Sequence, residues 1–304
     1  MAIDDFAPDD MAAVARAQGR AVRRAKARGL HADDAVLRFV SQQLLDRLPL
    51  LVVEPTQLLD LGCWSGGQFD GLHELYPECE ITGLQLGGNI SVSDETSLQA
   101  RLMSRLSQFG RKRKPKIVSG DPHLLPFEDQ QFELVVSNLC LPFCQNPAAV
   151  FAEVSRVLRP GGAFLFSSLG PDTLLEYRQR WAQFDSYPHV SGLIDMHDLG
   201  DSMLKAGLSD PVLDRDTLKL DYPSVAALEN ELQVFGLVNT AFGRRKGLLT
   251  KGLSSKVSDT QSRFEVGLEL VHGHAWKDEF QSERNSSVDE FRFPVSELQG
   301  SWKR

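Results

Sequence analysis

The stretch "LLDLGCWSGGQ", residues 58–68, decides the fold of this 304-residue chain. Its first half is a short apolar run, typical of a buried strand, and its second half is a glycine-rich turn that leads into a helix. At the carboxyl end of a parallel strand, such a turn directs backbone N–H groups towards an anion or a nucleotide-type cofactor. Gly62 can adopt a positive φ at the strand exit, and Gly66 lets the helix pack closely. Ordinary strand–helix turns also contain glycine, so the flanking sequence must decide between the two.

Strands and helices alternate along the chain from residue 57 onwards. The predicted strands are 57–62, 79–86, 116–121, 132–139 and 163–169. The predicted helices between them are 66–76, 93–110 and 147–162. This alternation predicts an α/β fold with a parallel sheet that helices cover on both faces.

The regions on either side of this repeat also carry regular patterns. Residues 10–29 and 32–48 read as helices, the second with Asp33 or Asp34 as its N-cap. After residue 170 we expect three more helices and two more strands, namely helices 171–184, 197–207 and 224–236 and strands 211–222 and 263–276. The last stretch, 277–304, is polar and is expected to be loose.

Two side-chain caps are expected in the second half of the chain. Thr173 and Glu176 have the spacing of a capping box at the start of helix 171–184. Asp198, in the polar segment that also holds Asp195 and His197, can cap the helix that follows.

Composition narrows the class of protein. The chain has 42% hydrophobic residues, no apolar run near the ~20 residues of a membrane-spanning helix, and no recognisable secretory signal. We therefore expect a cytoplasmic protein that binds no membrane. The four cysteines lack CxxC spacing, which favours buried thiols over disulfides or a metal site, although Cys140 and Cys144 are spaced so that they could face each other.

Basic residues are bunched on a chain whose net charge is -8. They form three basic islands, residues 19–29, 110–116 and 243–251. Each island alone is best read as a solvated surface, whereas three together favour a docking site for an acidic partner. With a pI of about 5.4, broad binding to nucleic acid phosphates is not expected.

The order of motifs resembles the class I methyltransferases that depend on S-adenosyl-L-methionine (SAM). "LLDLGC" (58–63), "LPFEDQQFELVVSN" (125–138) and "VLRPGG" (157–162) stand where that family has its motifs. Within it, "FSSLGPDTLLEYR" (166–178) and "VHGHAW" (271–276) resemble the malonyl-acyl-carrier protein O-methyltransferases of biotin synthesis. The resemblance covers roughly residues 35 to 300.

That resemblance implies an architecture. We expect a Rossmann-like class I methyltransferase fold, with a seven-stranded, mostly parallel sheet and helices on both faces. It divides the chain into an N-terminal helical lid (1–50), a methyltransferase domain (51–276) and a polar tail (277–304), with substrate-side helical insertions at 170–262.

The resemblance also implies a cofactor site. Asp60, Gly62 and Gly66 correspond to the loop beneath the methionine part of SAM, and Gln85 to the residue that grips the ribose. The remaining positions lie by the adenine amine and the methyl group, and they are Asp121 with Pro122 and Asn138 with Leu139.

Two of these positions depart from the family pattern. Trp64 replaces the middle glycine of the loop, where its side chain intrudes on the cofactor, points outward, or forms an aromatic wall over the adenosine. Gln85 replaces an acid and loses the strength of a charge-assisted hydrogen bond. We therefore expect a binding loop that is retained but degraded.

The implied reaction methylates the free carboxylate of a malonyl-type thioester on acyl carrier protein. Because that carboxylate is already ionised at pH 7, no general base is required, but a cation should hold it. The candidates are Arg178, His189, Arg244 and Arg245. Arg178 has no acid three or four residues away, which favours it slightly over an ordinary helix arginine.

Other functions remain open from the sequence. "SNLCLPF" (137–143) lacks the Asn-Pro-Pro-Tyr-like stretch of amine-directed nucleic-acid methyltransferases, which argues against that class. Trp64 and Gln85 favour, as an alternative, a catalytically degraded or repurposed member that acts as a binding or assembly factor. A protein-arginine hydroxylase would require iron ligands, and no convincing set is present; His272 and His274 are better explained by packing beside Trp276.

Overall fold

The protein folds around a seven-stranded sheet. The computed structural model describes residues 35–63, 67–86, 115–144, 146–235, 239, 244 and 263–278. Several predictions fall outside these residues and stay predictions. They concern helices 10–29 and 93–110, the caps Asp33 and Asp34, residues 279–304 of the tail, Trp64, Gly66 and Arg245, and the three basic islands except residues 115–116 and Arg244.

The strands lie in the order β3-β2-β1-β4-β5-β7-β6. Their bounds are β1 Gln57–Leu61, β2 Glu80–Leu86, β3 Lys116–Gly120, β4 Phe132–Ser137, β5 Leu158–Leu169, β6 Leu208–Tyr222 and β7 Phe264–Lys277. β1 to β5 pair in parallel, whereas β7 runs antiparallel to both β5 and β6. The expected seven-stranded, mostly parallel sheet is confirmed.

Six α-helices are described, and they pack on both faces of this sheet. They are α1 Ala35–Arg47, α2 Phe69–Leu75, α3 Pro147–Val157, α4 Leu175–Ala182, α5 Met196–Lys205 and α6 Val225–Phe235. On one face, Leu44 of α1 and Leu72 of α2 pack with Leu58 of β1. On the other face, Phe151 of α3 and Met203 of α5 belong to the largest apolar cluster. No helix among the described residues is both long and apolar enough to cross a membrane.

The helix predicted over 147–162 is too long. It ends at Val157, and Leu158 already pairs with Phe132 of β4. Pro160 explains the early end, since its ring disfavours helical conformation in the preceding residue and offers no N–H donor. The register between β4 and β5 shifts beyond this point, and Gly161 takes a φ of 75°.

The predicted capping box is also wrong. Helix α4 begins at Leu175, and its N-cap is Leu174 with a φ of 58°. The Thr173 hydroxyl donates to the carbonyl of Glu269 and accepts from its amide, at 3.3 and 3.1 Å. A Glu176 carboxylate oxygen accepts from the amide of Gly267 at 3.0 Å. Both side chains therefore bind the backbone of β7 rather than the start of their own helix.

Asp195, and not Asp198, caps helix α5. Its side chain accepts a hydrogen bond from the backbone amide of His197 at 2.8 Å, while its backbone is extended as an N-cap requires. The expected polar cap is thus present, but three residues earlier in the chain.

Candidate active site

The carboxyl edge of the sheet begins with the turn after β1. Gly62 has a φ of +83°, and the amides of Gly62 and Cys63 both donate to the carbonyl of Leu84, at 2.9 and 3.0 Å. A Cβ atom added to Gly62 would lie 2.6 Å from Cβ of Cys140. Conformation and space therefore both require glycine at this position, and the positive φ expected there is confirmed.

Asp60, two residues before this glycine, is fully buried. Its Oδ1 accepts a 2.5 Å hydrogen bond from Nε2 of Gln68, and its Oδ2 is buried with no partner among the residues that the structure describes. Burial raises the pKa of Asp60 to about 7, and the hydrogen bond from Gln68 opposes this rise. The site thus contains a carboxyl group with one oxygen left for a ligand.

Gln85 and Asp121 lie on neighbouring strands at the same edge. β2 and β3 run in parallel, with Gln85 opposite Ser119 and Leu86 opposite Gly120. Asp121 follows Gly120 directly, so the two predicted cofactor residues come from adjacent strand ends. Gln85 is half-buried, and Asp121 is exposed.

His123 holds the Asp121 carboxylate in place. Asp121 Oδ1 accepts from the His123 backbone amide at 2.9 Å and lies 2.7 Å from Nδ1 of its ring. Partial burial raises the pKa of Asp121, but these hydrogen bonds outweigh it and lower the pKa below its ordinary value. Pro122 between them is buried. An ionised acceptor at this edge suits a donor such as an exocyclic amine.

Asn138 and Leu139 form the exit of β4 and are fixed by Ser167 of β5. The Ser167 hydroxyl donates to Oδ1 of Asn138 at 3.0 Å and accepts from the amide of Leu139 at 2.9 Å. Asn138 Nδ2 donates to the carbonyl of Leu37 on α1 at 3.1 Å. Leu139 has a φ of 49°, which is unusual for a branched side chain. The buried serine therefore stabilises a strained turn at the carboxyl edge of the sheet.

A narrow apolar cavity of about 30 Å³ opens next to Leu139. Pro142 and Phe143 line it from the turn after β4, and helix α6 contributes its one charged lining residue, Glu231. The other lining residues are Val36, Leu37, Leu169, Leu174, Leu220, Tyr222, Leu228, Leu232 and Leu268. Such a surface excludes water from the end of β4.

Arg178 lines a second cavity, of about 360 Å³. Its Nη2 donates to the carbonyls of Pro171 and Thr173, the latter at 3.2 Å. Its Nε is buried with no partner, and it forms no ion pair among the described residues. Arg178 therefore combines a structural role with an unused donor that an anion could occupy.

His189 lines the same cavity, but its ring is already engaged. It stacks on Trp181, with ring centroids 3.8 Å apart and planes 10° apart, and its Nε2 lies 2.8 Å from Oδ1 of Asp185. The structure therefore brings Arg178 and His189 together, although His189 is held as part of the wall. Arg244 is partly buried.

The cysteines and the paired histidines complete the set of candidates. All four cysteines are buried and free, as expected, and the sulfurs of Cys140 and Cys144 face each other at 3.9 Å. His272 is buried on β7, and burial lowers its pKa to about 4. Within the described part of the chain, no three His, Cys, Asp or Glu side chains are grouped to hold a metal ion.

Sequence reasoning missed two residues of this site. Gln68 reads as part of a glycine-rich turn, and Ser167 as an ordinary strand residue in "FLFSSL". Each acts on a residue at least eight positions away in sequence, Asp60 and Asn138 respectively. For Ser167 the local signal was a polar residue in an otherwise apolar strand, since buried polar groups need partners, whereas the sequence around Gln68 carries no such signal.

Comparison with known proteins places the chain among methyltransferases. A family model described as "Methyltransferase domain" matches residues 59–166. A malonyl-acyl-carrier protein O-methyltransferase from Methylovorus sp. (strain MP688) is 34% identical over 268 residues, covering 84% of this chain and 88% of that protein. The enzyme of the same name from Nitrosospira multiformis is 33% identical over 272 residues, covering 85% and 89%.

Among solved structures, the YcgJ protein from Bacillus subtilis matches with a TM-score of 0.51 at 14% identity. The match covers 78% of this chain and 99% of that one. At this level of identity, the similarity supports the fold alone.

Proposed function

Because the chain belongs to the malonyl-acyl-carrier protein O-methyltransferase family, we propose that it methylates the free carboxylate of a malonyl-type thioester carried by acyl carrier protein, in biotin synthesis. It is an enzyme of the methyltransferase class and uses SAM as methyl donor. The acidic carrier as partner and the cytoplasmic location expected from the sequence are parts of the same proposal.

The residues at the carboxyl edge fit SAM. The buried, unpartnered Oδ2 of Asp60 suits the ammonium group of the methionine part. Gly62 takes the positive φ that turns the chain at the end of β1, and Cys140 packs where a side chain would lie. Gln85 offers an amide to the ribose, and the ionised Asp121 offers an acceptor to the adenine amine. Gly66, Trp64 and Pro122 belong to the same proposed site.

SAM supplies an electrophilic methyl group on a positively charged sulfur. The chain's own contribution is to hold the acceptor carboxylate in line and to exclude water, since an ionised carboxylate needs no base. Ser167 fixes the turn at Asn138 and Leu139, and the apolar cavity beyond Leu139 keeps water from the place where the two substrates meet. Positioning of this kind is worth up to roughly 7–11 kcal/mol in ideal cases.

The unused Nε donor of Arg178, together with its position in the wall of the second cavity, is the observation that supports a carboxylate substrate. Arg178 lies one turn after Leu174 and one turn before Trp181, and both of these pack in the cluster that contains Leu139. The cation therefore lies on the face of α4 that carries Leu174 and Trp181, and we propose that the substrate carboxylate binds on this face. A guanidinium without an acidic partner favours an anionic ligand, and its planar fork matches a carboxylate.

The test is to replace Arg178 by Gln and measure methyl transfer to malonyl thioesters. We expect kcat/KM to fall about 10- to 100-fold, because the lost contact joins two charges in a partly buried site. Affinity for S-adenosylhomocysteine should stay within about 2-fold, since the two sites are separate. Arg178→Lys should retain part of the activity, because it keeps the charge but loses the fork.

Arg180→Gln, two residues along the same helix and outside the lining of that cavity, is the matched control and should leave kcat/KM unchanged. An equal loss in both variants would contradict the assignment of Arg178. If the unmodified protein binds neither SAM nor S-adenosylhomocysteine in calorimetry, the alternative of a repurposed binding or assembly factor would replace this proposal.

A further inference from the structure

Gln68 connects the N-terminal helix α1 to the buried acid of the cofactor edge. Its side chain is buried, and both ends of its amide are used. Nε2 donates to Oδ1 of Asp60 at 2.5 Å, while Oε1 accepts from the hydroxyl of Ser41 on α1 at 3.3 Å. Ser41 is itself buried. Three buried polar side chains from three separate segments therefore form one chain of hydrogen bonds.

We propose that Gln68 is a positioning residue for the cofactor, which orients the Asp60 carboxylate so that Oδ2 stays available for the ammonium group of SAM, and that Ser41 fixes Gln68 in this role. The inference rests on the proposed use of SAM. It adds two residues, Gln68 and Ser41, that need not touch the cofactor.

The chemistry of the amide explains why this position suits glutamine. A lysine or arginine at residue 68 would pair with the carboxylate and satisfy it, whereas an amide donates one hydrogen bond and adds no charge. One oxygen of Asp60 then stays unpaired in a buried place, which is costly until a cation arrives. The Ser41 hydroxyl fixes which end of the amide faces Asp60, because it donates to Oε1 and so leaves Nε2 for the acid.

The titratable groups packed around Asp60 do not counteract the effect of burial on its pKa. Burial, Asp60 itself and Cys140 raise the pKa of the Cys63 thiol well above its ordinary value, so this thiol stays neutral. The neighbouring strands β2 and β4 carry Glu80 and Glu133. Both lie near the starts of their strands, away from the carboxyl edge of the sheet. The charged and titratable side chains of the two adjoining helices do not shift the pKa of Asp60, and these are Arg38, Asp46, Arg47, Asp70, His73 and Glu74.

Binding should therefore depend on pH in a defined direction. The ammonium group pairs with the ionised carboxylate, so affinity should rise as pH increases through the pKa of Asp60, about 7. Because the Gln68 hydrogen bond lowers that pKa, its removal should move the rise in affinity to higher pH. A residue with only a structural role would change affinity equally at all pH values.

The experiment measures S-adenosylhomocysteine binding by calorimetry between pH 6 and 8.5 for the full chain and for Gln68→Met. Methionine matches the size and flexibility of glutamine but donates no hydrogen bond. We expect affinity to fall about 10-fold at pH 7 and to recover most of this loss at pH 8.5. Ser41→Ala, which is milder, should shift the midpoint in the same direction by less.

Gln57→Met is the matched control, because Gln57 lies on the same strand as Asp60 and donates to a different carboxylate, Glu80, at 3.1 Å. It should leave the pH profile unchanged. In an Asp60→Asn background, Gln68→Met should have no further effect on the pH dependence of binding, because the titrating carboxylate is absent. A pH-independent loss in Gln68→Met, or a pH-independent affinity of the unmodified protein, would overturn the inference; no binding at any pH would instead overturn the proposed function.

Discussion

Gly62 is the residue at which backbone conformation and packing meet most directly. Its φ of +83° disfavours any side chain, and an added Cβ would lie 2.6 Å from Cβ and 2.7 Å from Sγ of Cys140. Replacing it by alanine should therefore lower the free energy of unfolding by about 2–4 kcal/mol, combining backbone strain with overpacking. Urea denaturation measures the stability, and calorimetry with S-adenosylhomocysteine measures the site.

Gly67→Ala provides the comparison for this prediction within the same loop. A Cβ added to Gly67 meets nothing within 4 Å. We expect its stability to change by no more than about 0.5 kcal/mol. If Gly62→Ala were equally mild, Cys140 and the turn would have to adapt, and the argument for a rigid loop would fail.

For single residues, the sequence predicts a role correctly when that role depends on residues nearby in the chain. Gly62 could be assigned because a strand exit followed by a helix calls for a positive φ. Gln68 and Ser167 could not, because their importance depends on which distant acid or amide the fold brings to them. The side chain of Thr173 illustrates the same point, since it binds β7, which lies 96 residues away in sequence.

At the scale of helices and strands, hydrophobic periodicity predicts that an element exists better than it predicts the residues at which the element begins and ends. All seven strands correspond to predicted ones, whereas the helix over 147–162 ends five residues early. Strand and helix compete for the residues after Val157. Leu158 pairs with Phe132 of β4, and Pro160 disfavours continuation of the helix. The capping residue is harder still to predict, since several acidic residues near one helix end could each cap it.

Helix α5 offers a direct test of such competition. Asp195 accepts the amide of His197, whereas Asp198 lies inside the first turn. Asp195→Ala should lower the free energy of unfolding by about 1 kcal/mol, and Asp198→Ala by clearly less. Urea denaturation of both variants at pH 7 decides between them, and a larger loss in Asp198→Ala would return the cap to that residue.

The cap should also depend on pH in a predictable way. Hydrogen bonding to the amide of His197 lowers the pKa of Asp195 below its ordinary value. A lowered folded-state pKa means that the stabilisation is present above the unfolded pKa of about 3.9 and is lost as pH falls through the folded value. The difference between the unmodified protein and Asp195→Ala should therefore shrink in acid.

At the scale of the whole molecule, the sheet order determines where chemistry can occur. Five parallel strands bring the ends of β1, β2, β3 and β4 to one edge, so Asp60, Gln85, Asp121 and Asn138 lie along it despite wide separation in sequence. The antiparallel β7, inserted between β5 and β6, adds the surface on which α4 is anchored through Thr173. Alternation of elements predicts the parallel part, but not an inserted antiparallel strand.

Overall charge bears on the carrier partner proposed for this enzyme. A chain with a net charge of -8 repels an acidic protein unless basic groups are concentrated where the two meet. Residues 243–251 contain such a concentration, and reversing Arg244 and Arg245 to Glu should raise KM for the carrier-bound substrate. A small free thioester should be used as before, because it lacks the acidic surface and because peripheral charges mainly set the encounter rate.

Salt dependence identifies the physical origin of such an effect. The Debye length falls from about 10 Å at 0.1 M salt to about 3 Å at 1 M, so the difference between the unmodified and reversed proteins should diminish as salt rises. Lys219→Glu, an exposed charge reversal on β6 outside the basic islands, should leave KM unchanged. Equal losses on carrier-bound and free substrates would instead place the two arginines against the substrate carboxylate, in competition with Arg178. No loss on either would assign residues 243–251 to ordinary solvated surface and leave carrier recognition to another part of the chain.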